Sequence, residues 1–196
     1  MAMWIKRCTS WGLMAALTMM LIWGCAPRMT PILMGDVALQ PGRYVTASYR
    51  APDFAANRTA YALEPFTVPA AQGVDPEAFQ AQLQAELSRA FQANGLKINP
   101  GSDTVLSGTV PLLAIRGTSL RFIFGKIKAE LTVEGRVTRG AETLFAFQDR
   151  ISLTSPLNPG PPAPKEKELL LNQAARTFAS HLLNELLLYW PAEEGK

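Results

Sequence analysis

The sequence contains few of the side chains that bind metal ions or attack substrates. Its 196 residues include two cysteines, Cys8 and Cys25, and one histidine, His181. A zinc site normally needs several His or Cys ligands, so the sequence predicts no metal site. It also contains no GxxxxGK[ST] phosphate loop and no GxGxxG dinucleotide motif. We therefore expect no cofactor, no catalytic residues and no enzymatic activity, and we interpret His181 as a residue at the helix surface or at its boundary with the core.

Strong charge and long apolar runs are also missing. The net charge is +3, and it falls to about +1 if Lys6 and Arg7 are removed with a leader, which argues against nucleic acid as a partner. The apolar run from Trp11 to Ile22 is about a dozen residues long, whereas a membrane-spanning helix needs roughly 20. An apolar run of this length after basic residues is typical of a secretory signal peptide.

The residues Ile22-Trp23-Gly24-Cys25 follow that apolar run. Together with Lys6 and Arg7 they resemble the signal peptide and lipobox of a bacterial lipoprotein, although Trp23 is less usual in the motif. The resemblance implies that residues 1–24 are removed and that Cys25 carries the lipid that binds the protein to a membrane. Ala26, where an aspartate would retain the protein at the inner membrane, implies the outer membrane, facing the periplasm. The alternative is an uncleaved N-terminal helix in the inner membrane.

The rest of the chain divides by composition into three parts. Residues 25–57 contain recurrent prolines and glycines and predict a lipidated tether, which could pack on the domain through Tyr44, Tyr49 and Phe54. Residues 58–190 predict a single α+β domain, and residues 191–196 a short tail. With Cys8 removed and Cys25 lipidated, the domain has no thiol for a disulfide.

Periodicity predicts the elements of the domain. Apolar residues alternate in residues 58–68, 104–115, 126–138 and 143–153, and they recur at three- and four-residue steps in residues 75–94 and from Pro164 or Lys165 to Trp190. The order β-α-β-β-β-α predicts a two-layer sandwich, an antiparallel sheet with two helices on one face. Asp149 falls on the apolar face of its strand, so we expect either a bulge that turns it away or a buried partner.

The runs Ser102 to Val110 and Gly125 to Phe145, after a helix, resemble small bacterial envelope lipoproteins whose α+β domain has no known function. A similar layout occurs in the N-terminal domain of the translocation protein TolB and in auxiliary lipoproteins of lipid-transport systems. The resemblance implies the same fold and a periplasmic location, and it implies no catalytic residues.

Two surface features suggest contacts. The last predicted helix has an apolar face that Leu183, Leu187 and Leu188 make wider than one sheet requires, which predicts packing against the tether or a partner protein. Four bases without a nearby acid predict a solvated hairpin or a contact with anionic lipid head groups. These bases are Arg116, Arg121, Lys126 and Lys128.

The sequence therefore favours a lipid-anchored, non-enzymatic envelope protein that is an accessory or scaffold part of a periplasmic or outer-membrane assembly. An alternative is a lipid-binding or lipid-transport auxiliary protein, which predicts an apolar groove between helices and sheet. A cell-wall hydrolase, which predicts clustered carboxylates in a cleft, is a third candidate.

Overall fold

The computed structural model describes residues 32–71, 73–117, 126–155 and 164–188. Within these ranges the chain forms an α+β fold of one eight-stranded sheet and two helices. The strands are β1 (Ile32–Met34), β2 (Val37–Pro41), β3 (Ala47–Arg50), β4 (Ala60–Leu63), β5 (Lys97–Ile98), β6 (Thr104–Gly117), β7 (Ile127–Arg139) and β8 (Glu142–Thr154). The helices are α1 (Pro76–Ala93) and α2 (Pro164–Leu186).

The sheet is mixed, and in this respect the prediction of an antiparallel sheet is wrong. Its strand order is β1-β2-β3-β8-β7-β6-β4-β5. The long strands β6, β7 and β8 are antiparallel as predicted, but β4 runs parallel to both β5 and β6. A parallel pair needs a long crossover connection, and α1 supplies one between β4 and β5.

Three strands lie in the segment that the sequence analysis assigns to a tether. Strand β3 pairs with β8, β2 pairs with β3, and β1 pairs with β2 at the edge of the sheet. Of the three residues expected to pack on the domain, Phe54 is buried in the main core, Tyr49 is partly buried and Tyr44 is exposed. From Ile32 onward, residues 32–57 are therefore part of the folded domain. These strands contain only three to five residues each, too few for a clear alternation.

Helix α1 begins and ends where its sequence predicts. The Asp75 carboxylate accepts hydrogen bonds from the backbone N–H groups of Glu77 and Ala78 at 3.0 and 3.2 Å, and Pro76 occupies the first helical position. Gly95 follows the helix with a φ of 72°, a conformation that glycine adopts without a steric penalty. The predicted stripe of Phe79, Leu83, Leu87, Ala90 and Phe91 packs in or against the core.

The main core lies between the helices and one face of the sheet. Phe178 of α2 packs against Phe66 and Phe147, with ring centroids 6.0 and 5.8 Å away. Gly108 and Gly135 are opposite each other on β6 and β7, and a Cβ atom at either position would come within 2.3 Å of Phe66 or 2.7 Å of Phe147. The missing side chains make room for the two rings, which is the physical reason for glycine at these two positions.

A register shift changes the face that the end of β6 presents. The sequence pattern places Leu112 on the buried face, but the pairing of β6 with β7 shifts between Thr109 and Leu112. Leu113 is buried instead, and Leu112 is half-buried. The turn that joins β7 and β8, from Arg139 to Glu142, has Gly140 at a φ of 57°.

Several predictions lie outside the described residues. These are the signal peptide and Cys25, the stretch 118–125 with Arg121, and residues 189–196 with the predicted end of the last helix and the tail.

Candidate functional site

The described members of the basic cluster lie at one end of strands β6 and β7. Arg116, Lys126 and Lys128 are all exposed. The Lys128 ammonium donates a hydrogen bond to the Glu130 carboxylate at 2.7 Å, and the Arg116 Nε atom lies 4.0 Å from the same carboxylate. The hydrogen bond and charge of Lys128 lower the pKa of Glu130, and Arg116 adds to the effect. Glu130 therefore offsets part of the positive charge that the sequence places here.

The residues predicted as a partner face are largely occupied by the fold itself. Leu183 is 2% exposed and belongs to the main core, Leu187 packs against that core, and Leu188 is half-buried. Part of the extra apolar width of the helix is thus covered within the domain. Leu183 is not available to a partner, which corrects the prediction for this residue, while Leu187 and Leu188 remain partly accessible.

Asp149 has the buried partner that its position on β8 requires. Its carboxylate is 2% exposed, and its Oδ2 atom lies 2.9 Å from Nδ1 of His181 on α2. Its Oδ1 atom accepts a hydrogen bond from the Arg150 N–H at 2.9 Å and a longer one from the Thr46 hydroxyl at 3.5 Å. The interpretation of His181 as a helix-boundary residue agrees with its partial exposure, but the sequence did not indicate that it pairs with Asp149.

A carboxylate–histidine pair can hold a proton or orient an imidazole for general base catalysis. Catalysis would also require a nucleophile or a metal ion next to the ring. Within the described ranges, no group of three or more His, Cys, Asp or Glu side chains is placed to hold a metal ion. The contacts of Asp149 connect β8, the β2–β3 turn and α2, so the pair links three parts of the domain.

A second buried carboxylate lies at the end of α2. Glu185 is 1% exposed. Its Oε2 atom accepts hydrogen bonds from the backbone N–H groups of Arg43 and Tyr44 at 2.9 and 2.7 Å, and its Oε1 atom accepts one from the Ser48 hydroxyl at 2.7 Å. All three donors belong to the segment that contains β2 and β3. Glu185 therefore fastens this segment to the last turn of the helix.

Arg50 completes this cluster from β3. Its guanidinium donates hydrogen bonds to the backbone carbonyls of Glu185, Leu186 and Phe54, and carbonyls at a helix C-terminus otherwise lack partners within the helix. The guanidinium also lies over the Phe54 and Phe145 rings, 5.6 and 5.8 Å from their centroids. Burial lowers the pKa of Arg50, and the nearby Glu185 carboxylate partly opposes that change.

Sequence reasoning missed the Glu185 cluster, although one signal was present. Glu185 falls at the helical spacing of the core stripe, seven residues after Phe178 and next to Leu186. A charged residue in a stripe of apolar residues requires a buried partner. Its partners could not be identified from the sequence because they precede it by more than 130 residues.

A third polar cluster lies in the groove between the two helices. Glu86 of α1 is 4% exposed, and its carboxylate forms ion pairs with Arg89 at 2.7 Å and with Arg176 of α2 at 3.7 Å. The Gln82 side chain donates a hydrogen bond to the same carboxylate at 3.2 Å. Glu86 thus joins the two helices and satisfies its charge locally.

In the part of the chain that the structure describes, no helix is long and apolar enough to cross a membrane.

At the interface between helices and sheet, the phenylalanine rings described above pack against one another.

Known proteins resemble this chain in structure but not in sequence. No protein-family model matches the sequence, and no curated protein matches it. Solved structures with a similar fold include a minor lipoprotein from Acinetobacter baumannii, with 14% identity and a TM-score of 0.46 over 65% of this chain and 90% of that chain. A second is the rare lipoprotein B from Shewanella oneidensis, with 17% identity and a TM-score of 0.44 over 64% of this chain and 92% of that chain. A third is the PelC dodecamer from Paraburkholderia phytofirmans, with 14% identity and a TM-score of 0.45 over 70% of this chain and 95% of that chain. Two of these three structures are of bacterial lipoproteins.

Proposed function

We propose that this protein is a lipid-anchored lipoprotein of the bacterial cell envelope, attached through Cys25. In this proposal its α+β domain is a non-enzymatic accessory or scaffold component of an assembly on the periplasmic face of the outer membrane. The observation that carries the proposal is the order of the first residues: basic residues, a short apolar run and the lipobox-like Ile22-Trp23-Gly24-Cys25.

Only a short stretch of chain separates Cys25 from the first strand of the fold. Strand β1 begins at Ile32, seven residues after Cys25. A fully extended chain covers at most about 3.6 Å per residue, so a lipid on Cys25 lies within roughly 25 Å of β1. The domain is therefore held near the membrane by a short connection rather than by the longer tether that composition predicts.

The contacts of the buried carboxylates support a non-enzymatic role. Asp149, Glu185 and Glu86 all have partners that join separate elements of the domain. Groups with such contacts stabilise a fold, and they are not grouped around one open cleft in the described residues.

The anchor is tested by replacing Cys25 with serine in the native host. We expect the wild-type protein to incorporate radiolabelled palmitate and to sediment with outer-membrane fractions. The Cys25→Ser protein should lose the label, because it has no thiol to which the lipid can be attached. A Cys8→Ser variant is the matched control and should behave as wild type. A wild-type protein that takes up no palmitate and keeps residues 1–24 would contradict the proposal and support the N-terminal helix instead.

The accessory role is tested at the accessible end of α2. A photo-crosslinking amino acid at position 188 should give one discrete adduct in intact cells. The same group at Leu169, which is 67% exposed at the other end of the helix, serves as the control. Equal, diffuse crosslinking at both positions would argue against a partner at this face.

A further inference from the structure

The exposed apolar side chains of the domain are concentrated at one corner. Among the described residues, the large hydrophobic side chains that are exposed are Ile32 at 38%, Leu33 at 73%, Tyr44 at 40% and Leu169 at 67%. Three of these four belong to β1 and to the turn between β2 and β3. Exposed apolar side chains that lie together, rather than scattered singly, indicate a contact surface.

The strand register places these residues at the same end of the sheet edge. Ile32 pairs with Leu39, two residues before β2 ends at Pro41 and the chain enters the turn containing Arg43 and Tyr44. The Arg43 guanidinium lies over the Tyr44 ring, 5.7 Å from its centroid. We call Ile32, Leu33, Arg43 and Tyr44 the N-terminal corner.

The turn at this corner is held in place from within the domain. The backbone N–H groups of Arg43 and Tyr44 both donate to the buried Glu185 carboxylate. The backbone that carries the Tyr44 ring is therefore fixed to the end of α2, while the ring itself is left exposed. Side chains presented from a fixed backbone lose little entropy when they bind a surface.

We propose that the N-terminal corner is a membrane-docking surface, with Ile32 and Leu33 inserted at the bilayer interface and Arg43 and Tyr44 at the level of the lipid head groups. This inference rests on the proposed lipidation of Cys25. The chain from Cys25 to Ile32 reaches at most about 25 Å. The opposite edge strand, β5, is seven inter-strand spacings of about 4.8 Å away, which is on the order of 30 Å. The membrane is therefore within reach of this corner, and the domain adopts one orientation on it.

The chemistry of the four side chains matches an interface rather than the bilayer centre. The transfer of aliphatic side chains out of water lowers the free energy of the system. A tyrosine has an apolar ring and a polar hydroxyl and is enriched at membrane–water interfaces. An arginine at the same level pairs with phosphate groups in a bidentate geometry. Because the lipid on Cys25 holds the domain at the membrane, the local concentration of the N-terminal corner near the bilayer is high. A weak contact through four side chains is then enough to orient the domain.

The test uses the full-length lipidated protein in vesicles of phosphatidylethanolamine and phosphatidylglycerol. The two native cysteines do not interfere, because Cys8 is removed with the leader and lipidated Cys25 has no free thiol. A polarity-sensitive dye is attached to Leu33→Cys or, as the matched control on the opposite edge strand, to exposed Lys97→Cys. We expect nitroxide-labelled lipids to quench the dye at position 33 at least threefold more than the dye at position 97. Equal quenching at the two positions overturns the inference.

A second variant distinguishes membrane contact made by the protein from affinity of the dye itself for the bilayer. The dye is placed at Tyr44→Cys, and Leu33 is either kept or replaced by glutamate. We expect Leu33→Glu to reduce lipid quenching at position 44 to the level at position 97, and unchanged quenching would overturn the inference. Failure of the anchor gives a different result, since an unlipidated Cys25 would itself react with the dye and the protein would not float with the vesicles.

Discussion

Removing the Glu185 carboxylate should detach the N-terminal strands from the end of α2. The change to test is Glu185→Ala. The side chain is 1% exposed and accepts three hydrogen bonds of 2.7–2.9 Å from Arg43, Tyr44 and Ser48. Its removal leaves two backbone N–H groups and one hydroxyl without an acceptor.

The magnitude follows from these contacts. A hydrogen bond to a charged group contributes about 1.5–3 kcal/mol, and part of the loss is recovered because the freed donors can bind water when the turn opens. We expect Glu185→Ala to lower the free energy of unfolding by about 3–5 kcal/mol. Glu185→Gln keeps the shape and one acceptor oxygen, and its amide can donate to the Ser48 hydroxyl. We expect that variant to lose only about 1–2 kcal/mol.

The assay is urea denaturation followed by circular dichroism, with all variants in the same Cys25→Ser background. Glu168→Ala, at an exposed position of the same helix, is the control and should change stability by less than about 0.5 kcal/mol. Hydrogen exchange of the Arg43 and Tyr44 amides should accelerate in Glu185→Ala more than exchange in β7. A loss below about 1 kcal/mol, with both amides still protected, would refute the reasoning.

Three further predictions concern other parts of the domain. Gly108→Ala should lower the unfolding free energy by about 1–3 kcal/mol through overpacking, measured by urea denaturation, and an unchanged midpoint would contradict the packing of β6. His181→Leu and Asp149→Asn should each destabilise the fold, and the double variant should lose clearly less than the sum of the two, since residues in contact are not additive; additive losses would show that the pair does not interact. Lys128→Met should raise the pKa of Glu130 toward its ordinary value of about 4.3, measured by NMR titration. Because the folded-state pKa of Glu130 is lowered, the stabilisation from this pair is present above about pH 4.3 and is lost as the pH falls through the folded-state pKa; a titration that Lys128→Met leaves unchanged would refute the pairing.

The elements with strong local signals could be predicted from the sequence. Helix α1 has a capping aspartate, a proline in its first turn and a glycine after its end, and β7 alternates between buried and more accessible positions over 13 residues. Such signals are local, so they define an element without knowledge of its partners. The α+β class followed from the order of these elements.

The elements defined by distant partners could not be predicted. Strand β3 has four residues and is a strand because it pairs with β8. Strand β4 pairs in parallel with β5 and β6, which follow α1 in the sequence. Asp149 and His181 each stood out as polar residues, but only the packing of α2 on β8 shows that they are partners. The boundary of the folded domain was placed too late in the chain for the same reason.

The pairing of β3 with β8 has a consequence for the order in which the chain can fold. The ribosome releases the N-terminal segment first, yet the strand that receives it is synthesised about a hundred residues later. Glu185, which fixes the same segment, comes 142 residues after Arg43. The first part of the domain to emerge is thus the last to be covered, and until then its apolar edge is open to aggregation.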